Sequence, residues 1–448
     1  MKEPKGSVVV TQTPIPLAEY LGLSALDPVF FDLKLYVAGS RWYLGDPSSP
    51  LSFNCCGTRV LGQYLRYLEV VVAEESGRLW NLPTLISSAV LEGRVMARFT
   101  DGSGMDVSLY DATSNRLGRE VILGPLGVGL EMGVDEDKVF DQSNTSFFFG
   151  DLYVKLYRQL MSHKNREISV LEALTQSGST DVPKVLGYGE TCSCSSYLVL
   201  ESMGDARDLY ALAKELLSAS KERVLELYLR RVGLSLRRLH RNLRDVFGTV
   251  SILLSSELDR SWSRTKNRMD LIKQELGAEP KVSPSAAAKI FASKDEVRQR
   301  DSHKKIDLQV VHGDLHLGQV LIGNERLVFI DFEGEVLGEV PTKRSSIEYD
   351  LAGIARSIHY AVSETLGLGT FAATMMSRSL EKSFLDAYVY GDEEDCADDP
   401  YTARLDLDLY ETLKLEKAVY ELEYEIRAGR GLKEIPAAFL RGYGEQDG

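Results

Sequence analysis

The chain has 448 residues, 44% of them hydrophobic and 26% charged, which is enough for two or three packed domains. Its net charge is −14 with no basic tail, which argues against nucleic acid or an anionic membrane surface as a partner. No apolar run approaches the roughly 20 residues that span a bilayer, and residues 1–14 lack an apolar core of signal-peptide length, so a cytoplasmic protein is expected. The five cysteines are Cys55, Cys56, Cys192, Cys194 and Cys396. An odd number in a chain this long does not look like a secreted disulfide framework. Cys192-Ser-Cys194 has no second half-site at zinc spacing, so no zinc is expected.

In chain order, residues 1–105 carry short apolar segments and turn signals. The stretch from Gly93 to Gly102 alternates toward an Asp-Gly turn. A small antiparallel or α+β unit is expected there. Residues 106–203 read as strands with one helix. Ser146–Tyr157 gives two apolar strands around Gly150-Asp151, and after Asn165 the spacing of Ile168, Leu171 and Leu174 predicts a helix. Residues 204–448 are mainly helical. The segment 258–305 reads as solvated helix, 306–340 as strand, and 346–430 as helix.

The main chemical signal is His312-Gly-Asp-Leu-His-Leu-Gly-Gln319 between apolar strands, followed by Ile330-Asp-Phe-Glu333. Asp331 comes seventeen residues after Asp314. Phosphoryl transfer needs this set: one carboxylate to orient an attacking hydroxyl, and oxygen ligands to hold Mg²⁺ against phosphates. A pair of turns capped by aspartates would account for one Asp, not for His312, Asp314, His316, Gln319 and Asp331 together. The layout resembles the protein-kinase catalytic loop, and more closely the His-Gly-Asp variant of aminoglycoside phosphotransferases and choline-type kinases. That resemblance implies Asp314 as catalytic base, and Gln319 and Asp331 as metal ligands with Glu333 assisting. Those families usually have Asn where Gln319 stands; an amide oxygen is kept on a longer arm.

Upstream, Ser143, Asn144, Thr145 and Ser146 form a small polar turn that can offer amides and hydroxyls to phosphates. Lys155 on the next strand can reach the α and β phosphates of ATP. Its helix partner is Glu167 or Glu172, with Glu167 preferred. Adenine is expected at the connector, near the backbone of Glu201 and Met203. Downstream, Lys417, Tyr420, Glu421 and Tyr424 recur at i, i+3, i+4 and i+7 and share a helical face. Spacing alone reads this as an exposed, salt-bridged helix.

Three segments together resemble the maltokinase family: Gln142–Asp151, His312–Leu321 with Ile330–Glu335, and Glu416–Glu425. Tyr349–Tyr360 is also similar to that family. The resemblance runs from about residue 140 to 430. It implies ATP and Mg²⁺ as cofactors, and transfer to maltose giving maltose 1-phosphate. It further implies a sugar pocket lined by His316, Lys417, Tyr420, Glu421 and Tyr424. Maltokinases tend to have Asn-Pro-Asp-x-Glu where this chain has Asn165-Arg-Glu-Ile-Ser169. The expected fold is α+β and bilobal, protein-kinase-like. It has an N-terminal cap domain (1–105), a β-rich nucleotide-binding N-lobe (106–203) and a mainly helical C-lobe (204–448). A small sugar is the expected acceptor. Enzymes of trehalose, maltose or glycogen metabolism are the expected protein partners. The rival readings are a kinase for glucosamine or an aminoglycoside, and an inactive sugar-sensing module.

Overall fold

The computed structural model describes residues 8–126, 139–161, 164–275, 303–323, 326–334, 344–391, 405–429 and 431–442. The chain divides into two compact units. The first is Met1–Glu172 with Lys184–Gly204, and the second is Ala173–Pro183 with Asp205–Gly448. Strands concentrate in the first and helices in the second, the α+β arrangement of a kinase-like fold.

The first unit holds β1 (Val8–Pro16), α1 (Leu17–Leu21), α2 (Pro28–Gly39), β2 (Leu51–Gly62), β3 (Leu65–Glu74), β4 (Leu79–Ser87), β5 (Val95–Thr100) and β6 (Asp106–Asp111). It continues with α3 (Arg116–Leu123), β7 (Val139–Asp141), β8 (Thr145–Phe149), β9 (Leu152–Leu156), β10 (Gln159–Leu160), most of α4 (Arg166–Gln176), β11 (Val185–Thr191) and β12 (Cys194–Glu201). Strands β1-β2-β3-β4-β6-β5 form an antiparallel sheet, with β10 added beside β4. The expected boundary at residue 105 therefore cuts the β5–β6 hairpin, whose second strand pairs with β4 and belongs to the same sheet. Side chains alternate across this sheet. Leu68, Val70 and Val72 of β3 pack with Trp42, Trp80 and the α2 residues Val29, Leu33 and Val37. Tyr67 and Leu85 join the core of the second sheet, with Phe147, Val154 and Val199.

The second sheet runs β11-β12-β9-β8-β7, also antiparallel. The β8–β9 hairpin turns at Gly150-Asp151, as read from the sequence, with Gly150 at φ +56°. A disulfide joins Cys56 of β2 to Cys192 in the β11–β12 turn, across 136 residues of sequence. The cysteine count did not anticipate it, because pairing depends on which Cα atoms the fold brings within reach. Such bonds persist in oxidising compartments and inside hyperthermophiles.

The second unit holds β13 (Arg207–Asp208), α5 (Leu209–Ser218), α6 (Glu222–Phe247), β14 (Thr249–Leu253), α7 (Leu254–Glu275), β15 (Lys305–Gln309), β16 (Val320–Ile322) and β17 (Leu327–Phe329). The helices α8 (Glu348–Leu366), α9 (Phe371–Tyr390), α10 (Leu407–Ala428) and α11 (Glu434–Gly442) complete it. Two expectations need correction here. The helix α7 is not simply solvated: Leu254, Leu258 and Ile272 are buried, and Ile272 packs with Leu415, Val419 and Leu422 of α10. The rest of the stretch expected as solvated helix, 276–302, lies outside the described residues. The helix α10 is not an exposed helix either, since most of its length is buried between neighbours. No helix among the described residues is long and apolar enough to cross a membrane.

Candidate active site

In the second unit, the segment 312–319 leaves β15 and enters β16 as a polar loop. Its backbone hangs on Asp350, in the first turn of α8. The amides of His312 and Gly313 donate to the two Asp350 oxygens at 2.7 and 2.9 Å. His240 Nε2 lies 3.1 Å from the same carboxylate. Asp350 is wholly buried, which by itself raises its pKa. The His240 hydrogen bond and charge, His312 and the Gly313 amide more than offset this and hold it below the usual carboxylate range. His312 Nε2 is 2.8 Å from the carbonyl of Ile330, which ties the loop to the residue before Asp331. Gly353 of α8 lets the helix close on the loop: a Cβ there would stand 2.1 Å from the carbonyl of Leu315.

Asp314 follows this anchored pair and is half-buried. His316 caps the next turn, its Nδ1 accepting the Gly318 amide at 3.1 Å. Burial first, then the nearby His312 and Lys417 charges, lower its pKa to about 4, so the ring is neutral at neutral pH. Gln319 and Asp331 meet: Gln319 Nε2 donates to Asp331 Oδ2 at 3.0 Å. Asp331 sits at φ +68°, a conformation that costs a non-glycine residue about 1–2 kcal/mol. The Ile330 amide, bonded to the Gln319 carbonyl at 3.0 Å, fixes the backbone beside it. A strained carboxylate meeting a side-chain amide, with Glu333 two residues on, is a hard-oxygen donor set of the kind Mg²⁺ takes.

In the first unit, Lys155 of β9 is buried, and its Nζ lies 2.9 Å from Glu167 Oε2 at the start of α4. Tyr157 OH donates to the same oxygen at 2.9 Å. Glu167 lies on the helical face of Leu171 and Leu174, which faces the core, whereas Glu172 pairs with Lys164 at the surface at 2.5 Å. The 142–146 turn differs in part from expectation. Ser143 is exposed and Ser146 half-buried, but Thr145 is fully buried with its hydroxyl turned inward to Asp141 at 2.8 Å. That hydroxyl is thus engaged inside the fold rather than offered to a phosphate. Glu201 ends β12, and its carboxylate accepts the Lys184 amide at 3.0 Å; Met203 lies in the connector just beyond.

The helix α10 brings together the four residues singled out by spacing. Lys417 is buried, with its Nζ 4.5 Å from the Tyr349 ring centre. The Tyr420 and Tyr424 rings stack at 6.5 Å with 17° between planes. The Arg268 guanidinium lies 4.6 Å over Tyr420. Glu421 accepts from Arg356 Nη2 at 2.7 Å and from Arg356 Nε at 3.0 Å. Its neighbours on the helix are matched in the same way: Arg264 Nε reaches Glu416 at 2.6 Å, and Arg427 Nε reaches Glu423 at 3.0 Å.

The profile of the phosphotransferase enzyme family matches residues 136–367, more than half of the chain, spanning Lys155, Asp314, Gln319 and Asp331. The chain belongs to that family. Among solved structures it is similar to a glucosamine kinase at 18% identity, with a TM-score of 0.63 over 94% of this chain and 98% of that one. It is also similar to a glucosamine kinase in complex with glucosamine, ADP and inorganic phosphate, at 18% identity, with a TM-score of 0.61 over 91% of this chain and 98% of that one. At this identity the similarity speaks for the fold.

Several residues that hold the 312–319 loop and the α10 face were missed from the sequence. Asp350 carried one signal: it opens a helix directly after a polar run, where a buried carboxylate can take amides. Arg356, Arg264 and Arg268 carried none, because a helical arginine reads as solvated until its partner is known.

Proposed function

We propose that this phosphotransferase is an ATP-dependent kinase that phosphorylates a neutral sugar, maltose first. The observation that carries the kinase reading is the meeting of Gln319 with strained Asp331 beside an anchored His-Gly-Asp loop, within a family of phosphotransferases. Asp314 aligns the acceptor hydroxyl and takes its proton as oxygen attacks the γ-phosphorus. The bond from that phosphorus to the β–γ bridging oxygen breaks, and ADP leaves. Lys155, held by Glu167, neutralises phosphate charge in an otherwise acidic protein. Gln319, Asp331 and Glu333 would hold Mg²⁺, which would supply positive charge to offset the phosphates.

The charge balance of α10 favours a neutral acceptor over an amino sugar. A cationic acceptor wants clustered carboxylates facing it, yet Glu416, Glu421 and Glu423 are each already matched by an arginine. The face bearing Lys417, Tyr420, Glu421 and Tyr424 is two turns long, roughly 10 Å, which suits two sugar rings better than one. Tyrosine rings pack on apolar sugar faces while their hydroxyls bond outward.

The test is ADP release measured against maltose, glucose, glucosamine and an aminoglycoside, with Tyr420→Ala as the variant. Maltose is expected to give the highest kcat/KM. The variant should raise the KM for maltose at least about tenfold and leave that for ATP in place, the signature of lost acceptor binding. Faster turnover of glucosamine overturns the neutral-sugar assignment. No turnover with any sugar overturns the kinase reading in favour of a sugar-sensing module.

A further inference from the structure

Beside Lys155 the first unit holds a buried network that this reading of the chemistry does not use. Arg158 lies three residues beyond Lys155 and is fully buried, as is its partner Asp111, at 2.9 Å. Every part of the guanidinium is engaged. Nη2 also donates to Thr113 Oγ1 at 3.0 Å, Nη1 to the Asn81 carbonyl at 3.2 Å, and Nε to Thr145 Oγ1 at 2.7 Å. The plane lies 4.6 Å from the Trp42 ring centre. The Arg158 backbone is tied as well: its amide donates to Asn144 Oδ1 at 3.2 Å, and its carbonyl accepts the Asn81 amide at 2.7 Å.

These partners fall into two groups. Asn81, Asp111, Thr113 and Trp42 belong to the large sheet and the segments packed on it. Asn144 lies in the small polar turn between β7 and β8, and Thr145 opens β8 directly after it. The turn is gripped from its other side too, because Thr145 donates to Asp141 at 2.8 Å and Asp141 pairs with Arg94 of the large-sheet side. Asp111 is held in turn by Tyr36 OH at 2.7 Å and by the Thr113 amide at 2.9 Å. Burial raises the Asp111 pKa, but Arg158, Thr113 and Tyr36 outweigh it, so the group stays ionised and the pair stays charged.

We propose that Arg158 is a positioning residue for the nucleotide, and that the large sheet exists in part to support it. The guanidinium transmits the rigid geometry of the large sheet to the 142–145 turn, so the turn's amides stay aimed for phosphate. This rests on the kinase reading, which makes the turn a phosphate cradle. It gives the large sheet a supporting role in nucleotide binding. A fully bonded buried guanidinium suits the task, because its planar fork fixes direction as well as distance.

The test uses the full chain with Thr145→Val and Arg158→Lys, and Val72→Ala as a core control in the large sheet. Thr145→Val keeps the branched shape and the Arg158–Asp111 pair and removes the two hydrogen bonds of the Thr145 hydroxyl, from Arg158 and to Asp141, so it covers the case in which Arg158→Lys fails to fold. The Kd for Mg-ATP, measured by calorimetry at a temperature where each variant is folded, should rise about five- to tenfold in Thr145→Val, the scale of one net hydrogen bond. The KM for sugar should change by less than about twofold, since the acceptor does not use this turn. Val72→Ala should lower Tm and leave the Kd where it was. Unchanged nucleotide affinity in Thr145→Val overturns the proposal, and so does an equal loss in Val72→Ala. A parent protein that binds no Mg-ATP overturns the kinase reading itself, an outcome visible before any variant is made.

Discussion

Two polar loops of this protein each depend on one wholly buried carboxylate, and the two are attached differently. Asp350 takes the amides of His312 and Gly313 itself, so the backbone that leads to Asp314 hangs on a single acceptor. Asp111 instead takes the Arg158 guanidinium. Arg158 then reaches the 142–145 turn through Thr145 and Asn144. The direct attachment satisfies a charge with neutral donors and one histidine. The relayed one spends a second charge to gain reach. On the function proposed here, the short link would serve a loop that places one reacting carboxylate, and the longer link would serve a turn that presents several amides.

The largest effect separates the reacting residue from its support. Asp314→Asn should lower turnover by about 10²–10⁴-fold, because the variant keeps the size of the side chain and loses the carboxylate that takes the acceptor's proton. A variant that kept more than about a tenth of the activity would show that the base lies elsewhere. Asp350→Ala should do something different. It strands the His312 and Gly313 amides in a buried site and removes the partner of His240 Nε2, at a cost of about 3–5 kcal/mol. Thermal unfolding should then show Tm lower by roughly 10 °C together with lost turnover. A stable Asp350→Ala protein would mean that the loop is held by other contacts.

The smallest effect concerns pH and also tells the loops apart. His316 is held down to about 4 by burial, His312 and Lys417, while an unfolded histidine titrates near 6.5. Below that pH the unfolded chain takes up a proton that the folded one refuses, so stability falls as pH drops from about 6.5 to 4, by up to about 3 kcal/mol. His359, lowered to about 3 by burial, Arg356 and Lys414, adds in the same direction. Asp111, with a depressed pKa, gives a contribution that is lost only below the ordinary carboxylate range, near pH 4. Urea unfolding of the parent and of His316→Asn at several pH values should show the slope roughly halved in the variant. An unchanged slope would mean that the His316 ring is protonated in the folded protein.

The 312–319 stretch was legible as a polar loop because its residues are close in sequence and bounded by apolar strands, so local pattern alone predicts it. Lys155 was legible by its strand position. Its partner could be chosen by phase, since Glu167 shares the face of Leu171 and Leu174 while Glu172 turns outward. The tyrosine face of α10 was legible as a face, but not as a half-buried one, because periodicity says which residues point together and not what covers them. Arg264, Arg268 and Arg356 cover it and match its charges. The boundary at residue 105 failed for a related reason: turn signals mark where a chain bends, not which sheet the next strand joins.

By itself the sequence determined the strand–loop–strand unit that presents Asp314, Gln319 and Asp331, because backbone alternation and turn chemistry act over a few residues. Tertiary structure alone decided what holds these groups. Asp350 reaches the 312–319 loop from 38 and 37 residues away, Asp111 pairs with Arg158 across 47, and Arg264 meets Glu416 across 152. The physical reason is that a buried charge is tolerable only where its partners converge, and convergence over such separations is set by how sheets and helices pack.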